Sequence, residues 1–170
     1  MTRGHVTAYI GLGSNLESHH GDRARHLELA VEALGSLGVV GPVSSMYETD
    51  AWGVPGEQPN YLNQVAALET GLGPRALVEA MLKIEADIGR VRTERYGSRI
   101  IDLDVLLLGD VVIDEPGVQI PHPRLHERAF VLVPLAEIAP DIVHPGSGVT
   151  IEELLGRVGS TGVRLTEIGR

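Results

Sequence analysis

Residues 100–108 read Ile-Ile-Asp-Leu-Asp-Val-Leu-Leu-Leu, and this stretch limits the fold more than any other. The unbroken apolar run after Asp104 predicts a strand that is largely buried. Residues two apart in a strand share a face, so Asp102 and Asp104 project side by side. Two like charges at the head of a buried strand are costly unless cations neutralise them. Mg²⁺, which favours carboxylate oxygens and substrate phosphates, would supply that neutralisation. A solvated strand end balanced by nearby arginines would do so equally, and Asp-x-Asp alone leaves both readings open.

The rest of such a core must be aliphatic. Aromatic residues make up 4% of the chain, with Phe130 and Trp52 the sole phenylalanine and tryptophan. Cysteine is absent, which excludes a disulfide scaffold, a zinc ribbon and a thiol nucleophile together. The 170 residues fit one domain spanning 1–170, with 160–170 an edge strand or a tail. No apolar run approaches the roughly 20 residues of a membrane span, and residues 1–5 do not resemble a signal peptide. A soluble, cytoplasmic protein is expected.

A formal charge of −9 disfavours non-specific binding to nucleic acid or to an anionic membrane. The distribution is more informative. Lys83 is the only lysine, whereas Arg90, Arg92, Arg95 and Arg99 fall within ten residues. Arginine presents a planar fork that matches phosphate oxygens, so the cluster points either to an anion site or to a solvated charged loop. Its position just ahead of Asp102 favours the first. Carboxylates for metal beside arginines for oxygens are what phosphoryl-type transfer from a nucleotide requires.

Periodicity places these residues on elements. Residues 6–12 predict a strand ending in Gly13-Ser14-Asn15, followed by a helix with Asp22 as N-cap and Gly38 as its stop. Residues 39–48 predict a second strand kinked near Pro42, and residues 50–60 a loop. In a third strand over 61–70, Leu62, Gln64 and Ala66 face one side and Tyr61, Asn63 and Val65 the other. A second helix runs from Pro74 to Gly89, burying Leu77, Met81, Ile84 and Ile88. After the 100–108 strand, residues 111–113 suggest its hairpin partner. A short helical stretch ends near Pro140, and a last helix covers about 151–158. Strand–helix–strand–strand–helix–strand is the order of a ferredoxin-like α+β sandwich, a mainly antiparallel sheet covered by helices.

Other motifs carry less. Gly11-Leu12-Gly13-Ser14-Asn15-Leu16 resembles the start of a dinucleotide fingerprint, but Leu16 stands where the third glycine belongs. That turn reads as structural. His122 and His126 are four apart, yet Pro123 intervenes and no acidic partner follows, which argues against zinc. His122 between two prolines reads as a rigidly placed phosphate donor or as a plain loop histidine. Tyr61 and Asn63, on one strand face, could hold a flat heterocycle or simply pack in the core.

Together these stretches resemble the 6-hydroxymethyl-7,8-dihydropterin pyrophosphokinases of folate biosynthesis. The likeness rests on residues 8–16, on Gln58-Pro59-Asn60-Tyr61-Leu62-Asn63, and on Glu85 with Gly89-Arg90-Val91-Arg92. It continues through Tyr96-Gly97-Ser98-Arg99 into Asp102-Leu103-Asp104, and through residues 121–130 from Pro121-His122-Pro123 to Phe130. The resemblance implies transfer of pyrophosphate from ATP to the pterin hydroxymethyl group, with release of AMP. It implies two Mg²⁺ ions on Asp102 and Asp104, with Asp102 nearer the pterin hydroxyl. The pterin would stack between Tyr61 and Phe130, with Asn63, Thr49, Asp50 and Trp52 at its edge. Arg90, Arg92, Arg99, His122 and Arg128 would hold phosphate oxygens, and Tyr96 would line the ATP site. Glu85 would face the ribose, and Val105, Val118 and Gln119 would border the adenine. Residues 41–56 and 93–97 would serve as lids. The partners expected are ATP and the pterin, with no nucleic acid or membrane, and the enzyme would be a monomer. An ordinary kinase or nucleotidyltransferase using the same carboxylates, or a non-catalytic ferredoxin-like binding module, are the rival readings.

Overall fold

Nearly continuous burial along residues 61–70, with side chains entering cores on both faces, marks this strand as the centre of the sheet. In the computed structural model, which describes residues 4–49, 60–89 and 100–166, it is β4 (Tyr61–Thr70). To one side it pairs antiparallel with β1 (Val6–Ser14), which in turn pairs antiparallel with β5 (Asp102–Leu108). To the other it pairs with β2 (Gly38–Val43) and β3 (Tyr47–Thr49), and β8 (Val163–Leu165) adds to β3 at the edge. The strand order is thus β5-β1-β4-β3-β8, with β2 beside β3 on β4. Counting β2 and β3 as one broken strand gives the antiparallel order of a ferredoxin-like sandwich.

Helices cover both faces. The first is α1 (Arg23–Leu34), capped by Asp22, whose carboxylate accepts the Arg25 amide at 2.9 Å. The second is α2 (Pro74–Ile88), opened by proline and closed by Gly89 at φ 116°. Leu77, Met81, Ile84 and Ile88 of α2 pack with Leu27 and Leu34 of α1 onto Ile10, Leu12, Leu62 and Leu68. Across the sheet, α3 (Ala129–Ile138) and α4 (Ile151–Val158) cover Val65, Leu106 and Leu107. A register shift between Tyr9 and Ile10 lets both Leu106 and Leu107 reach this second core. Aliphatic side chains dominate both layers. Among the described residues no helix is long and apolar enough to cross a membrane.

The structure corrects three sequence expectations. The first helix stops at Gly35, and Gly38 instead opens β2, where a Cβ would collide with the Glu69 carbonyl. The expected strand over 39–48 is two strands, parted where Ser44 Oγ accepts the Val65 amide at 2.9 Å. Residues 111–113 do not pair with β5; β6 (Ile113–Glu115) makes a separate ribbon with β7 (Val118–Ile120). Pro116-Gly117, with Gly117 at φ 80°, is the turn that closes that ribbon.

Two histidines are built into this framework. His26 of α1 is fully buried, with Ser14 Oγ at 3.1 Å from Nδ1 and Ser18 Oγ at 2.7 Å from Nε2. Burial, helped by His20, pushes His26 below its ordinary pKa of 6.5; burial and His126 do the same for His144. Both are therefore harder to protonate in the folded chain than in the unfolded one. Below pH 6.5 the unfolded state takes up protons that the folded state refuses, so stability falls as the pH drops towards the folded values. Urea midpoints should decline from pH 7.5 to 5.5, and His26→Gln should flatten that slope while lowering stability at pH 7.5. Identical slopes in the two proteins would contradict the assignment to His26.

Candidate active site

At the C-terminal end of β1, side chains line up in rows across the sheet. One row runs Asp104–Gly11–Val65, and the next runs Asp102–Gly13–Asn63–Tyr47–Leu165. Beside them lies Tyr61–Thr49–Val163. Residues paired directly across strands share a face, so β1 contributes glycines between the aspartates and Asn63. A Cβ on Gly13 would stand 3.3 Å from Asn63 Oδ1 and 3.7 Å from the Tyr61 ring, and one on Gly11 3.3 Å from Leu106. These glycines are the floor of a trough.

A cavity of about 500 Å³ occupies it, on the α3/α4 side of the sheet. Asp102 and Asp104 line it together with Thr49, Tyr61, Asn63, Arg128 and Phe130. Asn63 is buried, and its Nδ2 donates to Thr49 Oγ1 at 2.7 Å. That bond fixes the amide orientation and keeps Oδ1 on the Gly13 side. Arg128 caps α3 and lies 5.4 Å from the Phe130 ring centroid, a cation–π contact. Burial, then Arg124, lowers its pKa from the ordinary value, and Asp104 and Asp102 oppose that shift only in part. Carboxylates and guanidinium therefore share one electrostatic environment.

His122 sits beside this edge. Its amide donates to the Leu106 carbonyl at 2.9 Å, and its Nδ1 accepts the Arg124 amide at 3.1 Å. The neutral ring thus carries its proton on Nε2. Burial, then Arg128, pushes its pKa below 6.5 against the opposing pull of Asp102. It is a hydrogen-bond donor that needs no positive charge.

Glu85 lies elsewhere. It is buried in the last turn of α2, and its Oε2 accepts the Leu103 amide at 2.7 Å. Leu103 separates the two aspartates, so Glu85 fastens the backbone that carries them. Val105 and Val118 are buried in the α1/α2 core, and Gln119 is exposed on β7, its Nε2 donating to Asp114 at 3.0 Å. None of these residues, nor His122, lines the cavity. Asp50, Trp52, Arg90, Arg92, Tyr96 and Arg99 fall outside the described residues, as do the lid segment 93–97 and residues 50–56 of the other.

Sequence reasoning missed Gly11 and Gly13 as floor residues. Their signal was present: two glycines two apart in a strand leave one face bare. It also missed Arg124, Glu127 and the C-terminal residues Val158, Thr161, Gly162 and Val163 of the lining. Arg124 and Glu127 lie within the 121–130 motif without a role read for them, whereas the C-terminal residues have no local signature, because the pairing of β8 with β3 brings them in.

Metal fit can be judged from the donors. Asp102 and Asp104 offer hard oxygens on one face, and no group of three or more His, Cys, Asp or Glu suited to a metal exists among the described residues. Mg²⁺ characteristically takes one or two carboxylates and completes its shell with water and substrate phosphate, so this donor set fits it.

Fold and site thus define a ferredoxin-like α/β protein with a small-molecule cavity, polar at its carboxylate end. The family 7,8-dihydro-6-hydroxymethylpterin-pyrophosphokinase (HPPK) matches residues 9–140. A 2-amino-4-hydroxy-6-hydroxymethyldihydropteridine pyrophosphokinase of Methylorubrum extorquens is 43% identical over 169 residues, covering 98% of this chain and 100% of the relative. That of Haemophilus influenzae is 43% identical over 149 residues, covering 86% and 90%. A crystal structure of Plasmodium falciparum HPPK-DHPS, wild type with pteroate, superposes with a TM-score of 0.72 at 14% identity, over 92% of this chain and 43% of that one. The present chain spans less than half of that longer protein, and the likeness shows the fold. The chain belongs to the 7,8-dihydro-6-hydroxymethylpterin-pyrophosphokinase family, the pyrophosphokinases of folate biosynthesis.

The Glu85 contact makes a testable demand. Glu85→Ala leaves the buried Leu103 amide unpaired and should cost about 1–3 kcal/mol in urea unfolding. Glu85→Gln keeps an acceptor and should recover part of that loss. Equal stability of wild type and Glu85→Ala would refute the role.

Proposed function

We propose that this chain transfers the terminal pyrophosphate of ATP to the hydroxymethyl oxygen of 6-hydroxymethyl-7,8-dihydropterin, releasing AMP. The observation that carries this reading is the continuous row Asp102–Gly13–Asn63, which sets carboxylates and a heterocycle-reading amide on one face with no side chain between them. In the reaction the bond from the β-phosphorus to the α,β-bridging oxygen breaks. A bond from that phosphorus to the hydroxymethyl oxygen forms, and the hydroxyl proton is released.

Asp102 and Asp104 would hold two Mg²⁺ ions, and Asp102 would orient the pterin hydroxyl. Bound there, the ions would neutralise the phosphate oxygens and draw charge from the bridge. Tyr61 and Phe130 would stack the pterin. Asn63 Oδ1, held by the Thr49 bond, would accept from its polar edge, with Asp50 and Trp52 completing the contacts. Arg90, Arg92, Arg99 and Arg128 would bind the triphosphate, and His122 Nε2 would donate to an oxygen that gains charge in the transition state. The nucleoside would lie outside the cavity, against Tyr96 and the exposed Gln119 of β7, with Glu85, Val105 and Val118 supporting that side from the α1/α2 core. The enzyme would act as a cytosolic monomer.

Incubation with Mg²⁺, ATP and the dihydropterin should produce AMP only when the pterin is present. ADP would select an ordinary kinase, AMP joined to the acceptor a nucleotidyltransferase, and tight binding without turnover a non-catalytic module. Asp104→Ala should reduce turnover to background with an unchanged thermal midpoint; retained activity would dismiss the metal assignment.

His122→Ala should lower kcat by about 10²-fold, the loss typical of one donor to developing charge. Pterin affinity, measured by calorimetry, should not change. Unaltered kcat would leave His122 without that role.

A further inference from the structure

The cavity has an end that none of the assigned contacts explains. Opposite Asp102 and Asp104 it is lined by Val158, at the close of α4, and by Thr161, Gly162 and Val163. The chain reaches this place through two left-handed glycines, Gly159 and Gly162, both at φ 83°. Side chains other than glycine rarely adopt that conformation, so the α4–β8 turn is a built feature.

Several contacts fix β8 against β3. Val163 pairs with Thr49, Arg164 with Glu48 and Leu165 with Tyr47. Beyond the strand, Thr166 donates to the Met46 carbonyl twice, from its amide at 3.1 Å and from Oγ1 at 2.9 Å. Arg164 lies 4.0 Å from Glu48, which also bonds Arg23 at 2.8 Å.

Val163 is therefore the next member of the row Tyr61–Thr49, one strand spacing of about 4.8 Å beyond Thr49. Thr49 is the residue whose hydroxyl orients Asn63. A flat heterocycle whose reacting arm points to Asp102 and whose edge meets Asn63 and Thr49 must meet β8 next.

We propose that the α4–β8 turn and β8 form the specificity-determining wall of the acceptor site, with Thr161 and Val163 bounding the pterin on the side away from the aspartates. This rests on the pyrophosphokinase reading for the identity of the acceptor. The wall selects against acceptors extended at that end and contributes nothing to ATP binding.

The test uses the full chain with Thr161→Trp, which fills the end, and Val163→Ala, which enlarges it with little risk to β8. KM values for pterin and for ATP are measured separately, alongside the unfolding midpoint. A pterin KM raised at least tenfold in Thr161→Trp, or changed at least threefold in Val163→Ala, is expected, with the ATP KM within twofold of wild type. An unchanged pterin KM in folded variants, or pterin and ATP values moving together, would overturn the proposal. Should Thr161→Trp not fold, Val163→Ala decides alone. Wild-type protein that makes no AMP would defeat the reaction and not the wall, because titration of the pterin's own fluorescence compares the same variants by affinity. No difference in that titration, or no pterin binding by wild type, would overturn the wall as well.

Discussion

Everything in the site depends on the register of β1 between β5 and β4. Gly11 and Gly13 stand opposite Asp104 and Asp102 on one side, and opposite Val65 and Asn63 on the other. A shift of β1 by one residue would turn Gly11 and Gly13 to the opposite face and set Leu12 into the trough. Two hydrophobic layers enforce the register, because Ile10 and Leu12 must enter the α1/α2 core while Val65 enters the α3/α4 core. The polar site thus inherits its geometry from aliphatic packing. Glu85 adds a local tie at the one amide between the aspartates.

The charged groups of the cavity are not spread evenly. Asp102, Asp104, Arg124 and Glu127 all act electrostatically on Arg128, whereas Val158 and Val163 line the part beside β8. Such a division would suit charged phosphates on one side and a flat acceptor beside them. His122 stands beside the cavity, held through its amide and Nδ1, and burial and Arg128 disfavour its charge there.

Much of this was legible in the sequence wherever the information is local. The 61–70 alternation, the Pro74 start and Gly89 stop of α2, the Asp22 cap and the α4 limits all agree with the structure. So does the shared face of Asp102 and Asp104, since a strand period of two depends on nothing distant. The failures occur where tertiary contacts decide. Gly38 has the chemistry of a helix stop, but the Glu69 backbone passes so close that a strand needs it more. Residues 111–113 have β-propensity, yet only Ile113 enters a strand, and its partner Ile120 is set by the Pro116-Gly117 turn downstream. Glu85 is an acidic residue on a helix, and nothing in its neighbourhood announces that it will bond a strand amide. The arginine cluster belongs to the residues not described, so its contribution rests on the sequence and on family membership.

The pairing of β3 with β8 joins residues 47–49 to residues 163–165, the most distant strand pair along the chain. Closing so long a loop is entropically unfavourable, and contacts of large sequence separation form late in folding. The aspartates, the glycine floor and Asn63 lie on β1, β4 and β5, complete by residue 108, and Arg128 joins them at the head of α3, which ends at Ile138. During synthesis, then, the aspartate-bearing half can begin to assemble before the opposite wall emerges from the ribosome. A nascent chain would pass through a stage with an open-ended groove, and its selectivity would arrive with the last strand to dock.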